Sequence, residues 1–379
     1  MIYLDNAATT QKKPVSVKKA MIAALENAAN SGRGGYDAAN IAADYIFRAR
    51  ERLAELFGVS DCGQIAFTNN ATQALNMAIK GNALKNGHCV VSGYEHNSVV
   101  RPVASLSENE VTFSVARGAL FRPEELIVNF EKSFEKNTTL AVCTHVSNAF
   151  GYILPIKEID EICYKKGVPL VIDASQSAGS IKLKMDNFKA VTCICAPGHK
   201  GLYGPQGTGV LVCRNGEKMK TIIEGGTGSL SGEIFQPAIM PDRFESGTLN
   251  TPGIAGLSEG VSYVLERTPE KIFAYERELI NILHRGLKNN RKIKSFYTKD
   301  DSLQSGVLSF VVDGLLPETF AERLCERKIA VRSGKHCSAL AHETVKTRFG
   351  TVRVSVSDFT TINEVEAFLE AVFEITRKI

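Results

Sequence analysis

Short apolar runs alternate with amphipathic helical patterns from about residue 40 to about residue 215. Strands that alternate with helices form a mostly parallel sheet with helices on both faces. Ligands of such sheets bind beyond the carboxyl ends of the strands. The runs predict strands at Gln64–Thr68, Cys89–Ser92, Val111–Val115, Leu140–His145, Pro169–Asp173, Val191–Ala196 and Gly209–Cys213. The helical patterns lie at Asn40–Leu56, Ala71–Ala83, Pro123–Phe134 and Ile156–Lys165.

The pattern changes after about residue 255, where two long helices are followed by a mixture of short strands and helices. The predicted elements are Ile254–Glu266, Lys271–Lys288, Gly306–Val312, Pro317–Arg327, Ile329–Arg332, Val352–Ser357 and Ile362–Thr376. A chain of 379 residues is long enough for two domains. We therefore expect an N-terminal segment near the active site (1–15), a large α/β domain (16–255) and a small α+β domain (256–379).

Composition narrows the classes of function. Charged residues make up 23% of the chain, the net charge is +4 and no long block of like charge occurs, so no nucleic-acid partner is expected. There is no apolar run of 18 residues and no signal-peptide pattern at the N-terminus, so neither membrane insertion nor secretion is expected. The nine cysteines are odd in number and form no Cys-x-x-Cys pair, which indicates no disulfide framework, no metal site and a reducing cytoplasm.

Lys200 follows one predicted strand, and Asp173 ends the strand before it. A lysine and a carboxylate at neighbouring strand ends fit pyridoxal 5'-phosphate. The lysine forms a Schiff base with this cofactor, and the carboxylate keeps the pyridine nitrogen protonated. A lysine after a strand is more often an ordinary surface residue, so the interpretation depends on the rest of the chain.

Other strand ends carry groups that suit the same cofactor. Asn70 is a good N-cap, and the helix start at Ala71 and Thr72 offers free backbone N–H groups to a phosphate. His96 could stack on a flat ring, and Asn148 could donate to the phenolic oxygen. Each also has an ordinary explanation as a cap or turn residue. The glycine-rich stretch from 201 to 209 predicts that the next strand returns antiparallel as the edge of the sheet.

Cys337 differs from the other cysteines, most of which lie in apolar runs. It follows Lys335 and His336, and cations beside a thiol favour its reactive thiolate form. Arg332 and Arg353 lie on predicted strands of the same domain, where either could bind a carboxylate through two parallel hydrogen bonds. A surface salt bridge is the alternative for each arginine.

Taken in order, these motifs resemble those of the class V pyridoxal-phosphate enzymes and, among them, the cysteine desulfurases. The resemblance runs from Tyr3-Leu4-Asp5-Asn6 to the last helix and implies the type I fold of pyridoxal-phosphate-dependent transferases. In the large domain it implies that Lys200 holds the cofactor, that Asp173 pairs with its ring nitrogen and that His96 stacks on the ring. Gln176 and Asn148 match the groups that contact the phenolic oxygen.

The resemblance also assigns the phosphate, the substrate and the sulfur. The phosphate ligands are Ala71, Thr72 and His199, together with Thr248 from the other subunit of a homodimer, although the segment from 243 to 250 also reads as a linker. Arg353 matches the clamp for the substrate carboxylate, with Arg332, Asn148 and Arg33 nearby, and Cys337 matches the sulfur-receiving cysteine. Lys200, Cys337 and His96 are the expected catalytic residues.

Within the family, the sequence around Cys337 is similar to the SufS-like and selenocysteine lyase group. Fifteen residues separate Cys337 from Arg353, which leaves no room for a long mobile loop. The implied reaction converts L-cysteine to L-alanine and leaves a persulfide on Cys337 for a protein acceptor, as in iron–sulfur cluster assembly. Three alternatives stay open at this point: a selenocysteine lyase, a class V aminotransferase without persulfide chemistry, and a scaffold of the same fold that has lost catalysis.

Overall fold

A computed structural model of the protein describes residues 1–32 and 34–378. Its strands are β1 (Ile2–Tyr3), β2 (Ile65–Thr68), β3 (His88–Ser92), β4 (Thr112–Ala116), β5 (Thr138–Thr144), β6 (Leu170–Asp173), β7 (Val191–Pro197), β8 (Gly209–Cys213), β9 (Ile293–Phe296), β10 (Val307–Val312), β11 (Ile329–Ala330), β12 (Arg332–Gly334) and β13 (Thr351–Ser355). Its α-helices are α1 (Val15–Asn27), α2 (Asp37–Phe57), α3 (Ala71–Asn82), α4 (Asn97–Ser105), α5 (Pro123–Lys132), α6 (Ile156–Lys166), α7 (Thr251–Arg267), α8 (Pro269–Lys288), α9 (Pro317–Cys325), α10 (Ala339–Val345) and α11 (Ile362–Arg377).

The main sheet has seven strands in the order β2-β8-β7-β6-β5-β3-β4. All neighbours are parallel except β8, which is antiparallel to both β7 and β2. The seven predicted strands and the mostly parallel sheet are therefore confirmed. The prediction that β8 forms the edge was wrong, because β2 pairs along its outer side with Ile65 opposite Val212.

Both faces of the main sheet are covered, as the alternation predicts. One face packs against α2, α5, α6 and α7, with Leu53, Phe130 and Ile159 among the buried side chains. The opposite face packs against α3 and α4, with Leu75 and Val103 in its core. Because neither face is open to solvent, the polar residues of the sheet collect at the ends of its strands.

The C-terminal part is built on a second sheet, whose antiparallel strands run in the order β12-β13-β10-β9 and pack against α8, α9 and α11. The strand predicted at Ile329–Arg332 is in fact two, because β11 pairs with β1 while β12 pairs with β13. Helix α7 spans the predicted domain boundary at residue 255, and its Leu257 and Val261 pack in the core of the large sheet. The boundary itself stays a prediction. None of the described helices is long and apolar enough to cross a membrane.

Candidate active site

The turn that carries Lys200 is tightly held. It begins at the end of β7, where the Gly198 N–H donates to the Thr208 carbonyl at 2.9 Å, and the Thr10 N–H donates to the His199 carbonyl at 3.0 Å. Gly198 and Gly201 are needed for this packing. A Cβ at Gly198 would lie 2.1 Å from the Thr208 hydroxyl, and one at Gly201 would lie 2.4 Å from a backbone oxygen. The glycines therefore fix the path of the backbone on either side of the lysine.

The environment of Lys200 makes its amine reactive near neutral pH. Burial lowers the pKa of Lys200 to about 8; Arg353 and Arg332 act in the same direction, and Asp173 opposes them. A lysine with this pKa has an appreciable neutral fraction near pH 7 and can both accept and release a proton. These are the properties of an amine that attacks an aldehyde.

Asp173 is the last residue of β6, at the centre of the main sheet, and it is 2% exposed. Its Oδ1 accepts a hydrogen bond from the Ser175 N–H at 2.9 Å. It lies in register with Thr144, the last residue of β5, and with Cys195 on β7, so the ends of β5 and β6 meet at this level and β7 runs two residues further. A carboxylate held here can face the protonated nitrogen of a ring that enters from beyond the strands.

His96 is neutral and fixed in one orientation at the start of α4. Its Nδ1 accepts the Ser98 N–H at 3.0 Å, so the ring proton lies on Nε2. Burial lowers the pKa of His96 to about 4, with Asp173 opposing and Lys200 and two arginines adding to the effect. The Ser98 hydroxyl contacts both His96 Nδ1 at 2.7 Å and the Thr72 hydroxyl at 3.1 Å. The ring is thereby linked to the N-terminus of α3.

The N-terminus of α3 provides an anion site. Asn70 caps the helix by accepting the Gln73 N–H at 2.9 Å, which leaves the preceding N–H groups of Ala71 and Thr72 at the positive end of the helix. Nδ1 of His199 is buried and has no hydrogen-bond partner in the described part of the chain. Burial, followed by Lys200 and Lys13, lowers the pKa of His199 to about 4, so the ring is neutral. These groups fit a phosphate ligand.

Thr248 is not part of this arrangement within one chain. It is exposed and lines a separate pocket between α2 and the stretch from 226 to 229, whereas Lys200 lines a cavity with Gln176 and Tyr203. Arg33 lies outside the described residues.

Two amide side chains predicted to contact the cofactor are engaged within the chain. Gln176 donates from Nε2 to the Ala7 carbonyl at 2.9 Å. Asn148 donates from Nδ2 to the His336 carbonyl at 2.7 Å, and its Oδ1 accepts the Ser338 hydroxyl. Both amides therefore join the main sheet to segments distant in sequence, and Asn148 holds the turn that carries Cys337.

The turn around Cys337 is rigid but presents its sulfur to solvent. His336 and Cys337 both have positive φ, at 51° and 57°, an uncommon conformation for residues other than glycine. The turn is pinned from α4 as well, because the Asn97 N–H donates to the Cys337 carbonyl at 2.8 Å. Cys337 is exposed, and its Sγ lies 3.6 Å from Nη2 of Arg332.

The prediction that His336 is a cation beside Cys337 was wrong. Its imidazole is buried, and its Nε2 pairs with the Thr351 hydroxyl at 2.9 Å. Burial, followed by Arg353 and His342, holds the pKa of His336 well below its usual value, so the ring is neutral. The cation in contact with the sulfur is Arg332, five positions earlier in the chain.

Arg353 lies on β13 and is 1% exposed. Its Nη2 pairs with Oδ1 of Asp5 at 2.7 Å, and its Nη1 donates to the Asn148 carbonyl at 2.9 Å. Its Nε has no partner among the described residues. A guanidinium has five N–H groups, so Arg353 retains donors for a further carboxylate. Sequence reasoning missed the roles of Asp5, Asn97 and Ser98, although all three lie within the sequence motifs. The partners of Asp5 and Asn97 come from distant segments, and Ser98 joins His96 to Thr72.

The sequence from residue 2 to residue 368 matches the family model described as aminotransferase class-V. The chain therefore belongs to this family, whose members depend on pyridoxal phosphate. Within it, the chain is a member of the cysteine desulfurase group. It is 32% identical to a probable cysteine desulfurase of Methanothermobacter thermautotrophicus, over 99% of this chain and 94% of that one. It is 31% identical to a probable cysteine desulfurase of Pyrococcus abyssi, over 100% of this chain and 95% of that one.

Solved structures agree with this placement. The fold matches the apo cysteine desulfurase of Thermococcus onnurineus with a TM-score of 0.92 at 29% identity, covering 100% of this chain and 95% of that one. It also matches the fold of an Escherichia coli cysteine desulfurase with a TM-score of 0.89 at 23% identity, covering 100% and 95%.

Proposed function

We propose that the protein is a pyridoxal-phosphate-dependent cysteine desulfurase that converts L-cysteine to L-alanine and holds the released sulfur as a persulfide on Cys337. The observation that carries the proposal is the position of this thiol. It is exposed, contacts Arg332 and sits on a turn that Asn148 and Asn97 hold against the strand ends of the main sheet. A class V aminotransferase would have no use for such a cysteine.

The residues at the strand ends fit the cofactor. Lys200 would hold its aldehyde carbon, Asp173 its ring nitrogen and His96 one face of its ring. The N–H groups of Ala71 and Thr72, with the Thr72 hydroxyl and His199, would hold its phosphate. Gln176 and Asn148 would lie near its phenolic oxygen. When bound, the cofactor supplies an electron sink for bonds at the substrate's α-carbon.

Substrate binding and proton transfer fall to the chain's own groups. Arg353 would take the cysteine carboxylate with the N–H groups that Asp5 and Asn148 leave free, and Arg332 would assist it; Asn148 and Arg33 are the further substrate contacts that we propose. Lys200, with a pKa of about 8, would carry the proton between substrate atoms. Neutral His96 carries a proton on Nε2, so it can donate a hydrogen bond that orients a group on the substrate without adding charge.

The sulfur step requires the Cys337 thiolate. Its electron pair forms a bond to the substrate sulfur while the carbon–sulfur bond breaks, and those electrons stay with the fragment that takes up a proton and leaves as alanine. Arg332 stabilises the negative charge on the attacking sulfur. Because the turn is short and pinned, the persulfide stays at the site. We therefore propose that a protein acceptor in the cytoplasm comes to the exposed Cys337.

Borohydride reduction of the purified protein should attach the cofactor irreversibly to Lys200, since this amine is buried and partly neutral near pH 7. Peptide mapping by mass spectrometry locates the label. The same preparation is assayed with L-cysteine, with L-selenocysteine and with L-alanine plus an oxo-acid, reading alanine, sulfide and selenide. Label on a different lysine contradicts the cofactor assignment. Turnover of selenocysteine without cysteine turnover favours a lyase, and transamination alone favours an aminotransferase.

We also propose a homodimer in which Thr248 serves the phosphate of the neighbouring subunit. Thr248→Ala should lower cofactor affinity about tenfold or more, because a hydrogen bond to a charged group is lost. A mixed dimer of Thr248→Ala and Lys200→Ala chains distinguishes the two arrangements by equilibrium dialysis of the cofactor. If Thr248 acts across the interface, the mixed dimer has one site of parental affinity. If no site recovers, or if sedimentation gives a monomer that keeps the cofactor, the arrangement is wrong.

A further inference from the structure

The cavity that Lys200 shares with Gln176 and Tyr203 lies at the junction of the N-terminal segment, the turns that follow β6 and β7, and the small domain. It has a volume of about 40 Å³ and is lined by Lys200, Asn6, Thr10, Ser180, Ser305 and Glu276, among others. A site of about 10–15 Å³ with polar partners is enough for one water molecule. The cavity is therefore large enough for two or three waters, and both Lys200 and Glu276 lie in its wall.

Glu276 is an unusual residue for this place. It lies on α8, is 8% exposed and forms no hydrogen bond or ion pair with any described residue. Its Oε2 faces the backbone of Gly306, where an added Cβ would lie 2.7 Å away. The buried hydroxyl of the adjacent Ser305 also lacks a partner in the described chain. A buried carboxyl group without protein partners needs either water or a proton, since an isolated carboxylate is costly to bury.

The charges that face Glu276 favour its protonated form. Burial raises the pKa of Glu276 to about 8, and Asp358, which follows β13, adds to the effect. Asp358 is itself paired with Arg267 at 3.0 Å and accepts the Tyr263 hydroxyl. The buried phenol of Tyr203, from the turn after Lys200, faces Glu276, and Lys200 lines the same cavity. No described cation pairs with the carboxyl group.

We propose that Glu276 is a positioning acid that stores a proton for Lys200 and exchanges it through water in this cavity. In the exchange, the carboxylic acid of Glu276 loses its proton to the water and the amine of Lys200 gains one, so no other reactant is needed. Burial raises the pKa of the Glu276 carboxyl group and lowers that of the Lys200 amine, so it reduces the free-energy cost of this transfer. The proposal rests on the role of Lys200 given above and adds a route for its proton through the cavity that Lys200 shares with Glu276.

The first test uses the visible absorbance of the protein with its cofactor, titrated from pH 6 to pH 10. The absorbance reports the protonation of the Lys200 nitrogen bound to the cofactor. In the parent protein, ionised Glu276 helps this nitrogen to keep its proton. Glu276→Gln should therefore lower the midpoint by about half a pH unit to one unit, since charges that share a small cavity interact at an effective dielectric constant near 20. Glu278→Gln, the same change on the exposed side of α8, should leave the midpoint unchanged.

The second test needs no cofactor and follows thermal unfolding between pH 4 and pH 9. The folded state binds the proton of Glu276 more tightly than the unfolded state, whose pKa is near 4.5. The stability from this proton is present below pH 4.5 and is lost as the pH rises toward 8. The free energy of unfolding of Glu276→Gln, relative to that of the parent, should therefore increase across this window and then level off. The free energy of unfolding of Glu278→Gln should stay parallel to that of the parent throughout.

The outcomes separate the two proposals. Absence of any cofactor absorbance in the parent protein overturns the proposed function. Normal absorbance with the same midpoint in the parent and in Glu276→Gln overturns the role of Glu276, even if stability changes. If Glu276→Gln does not fold, Glu276→Asp retracts the acid from the cavity by one methylene, and it should shift the midpoint in the same direction by a smaller amount. An unchanged midpoint in Glu276→Asp then overturns the proposal.

Discussion

Cys337→Ser should abolish persulfide formation while the visible absorbance of the bound cofactor stays unchanged. Serine has almost the same size, and the turn is held by the backbone carbonyl at this position rather than by the side chain. A hydroxyl group is a far weaker nucleophile than a thiolate and cannot hold a persulfide. Mass spectrometry after treatment with L-cysteine should show an adduct of about 32 daltons, one sulfur atom, on Cys337 of the parent only.

Cys325→Ser is a matched control for this experiment, because Cys325 is also exposed but lies at the end of α9. It should form the adduct on Cys337 at the parental rate. Selenocysteine turnover should survive Cys337→Ser better than cysteine turnover, since selenium leaves carbon more readily. If the serine variant desulfurates cysteine at the parental rate, Cys337 is a bystander, and the aminotransferase and lyase alternatives gain support.

Arg353→Ala should weaken saturation by L-cysteine about 30-fold or more, because truncating one partner of a buried, hydrogen-bonded charge pair costs roughly 2–5 kcal/mol. Cofactor content should stay normal. Arg353 also pairs with Asp5, so alanine removes a structural contact together with the clamp. Arg353→Lys separates these roles. It keeps a positive charge for Asp5 but loses the two parallel donors that a carboxylate needs.

Asp5→Asn is the companion variant for the Arg353 series. It weakens the ion pair and leaves the guanidinium in place, so its effect on the concentration of cysteine at half saturation should be small. Steady-state kinetics of Arg353→Ala, Arg353→Lys and Asp5→Asn give the cysteine concentration at half saturation, and thermal unfolding gives the stability of each variant. If Arg353→Lys and Arg353→Ala saturate with cysteine like the parent, Arg353 is not the clamp, and its role is structural, through Asp5 and the Asn148 carbonyl.

The main sheet could be predicted because its strands are buried on both faces and read as continuous apolar runs. Elements that lack this signal were missed. Helix α4 contains Pro102, β9 has only four residues with two polar ones at its centre, and β1 has two residues. The antiparallel direction of β8 could be predicted from the glycines that precede it. Its position inside the sheet could not, because that position depends on pairing with β2, almost 150 residues earlier.

The residues of the candidate site likewise divide into those that the sequence could predict and those that it could not. Asp173 ends a strand, and Lys200, His96 and the start of α3 come within four residues of the end of one. They could be assigned because parallel strands bring their carboxyl ends to one edge of the sheet. Contacts between distant segments could not be read from the chain. The side-chain amide of Asn148 donates a hydrogen bond to the carbonyl of His336, 188 positions away. The charge of His336 depended on its burial, and Arg332 became the neighbour of the thiol only through the left-handed turn at Cys337.

Residues 2–10 join both halves of the molecule, and this has a consequence for the order of folding. Strand β1 pairs with β11, Asp5 pairs with Arg353, and Thr10 binds the carbonyl of His199 beside Lys200. Asp5 is 348 positions from Arg353, and Thr10 is 189 positions from His199. The main sheet can form without these contacts, whereas pairings of this sequence separation are slow to form. The contacts that close the site around Lys200 should therefore form late in refolding, and cofactor capture should follow them.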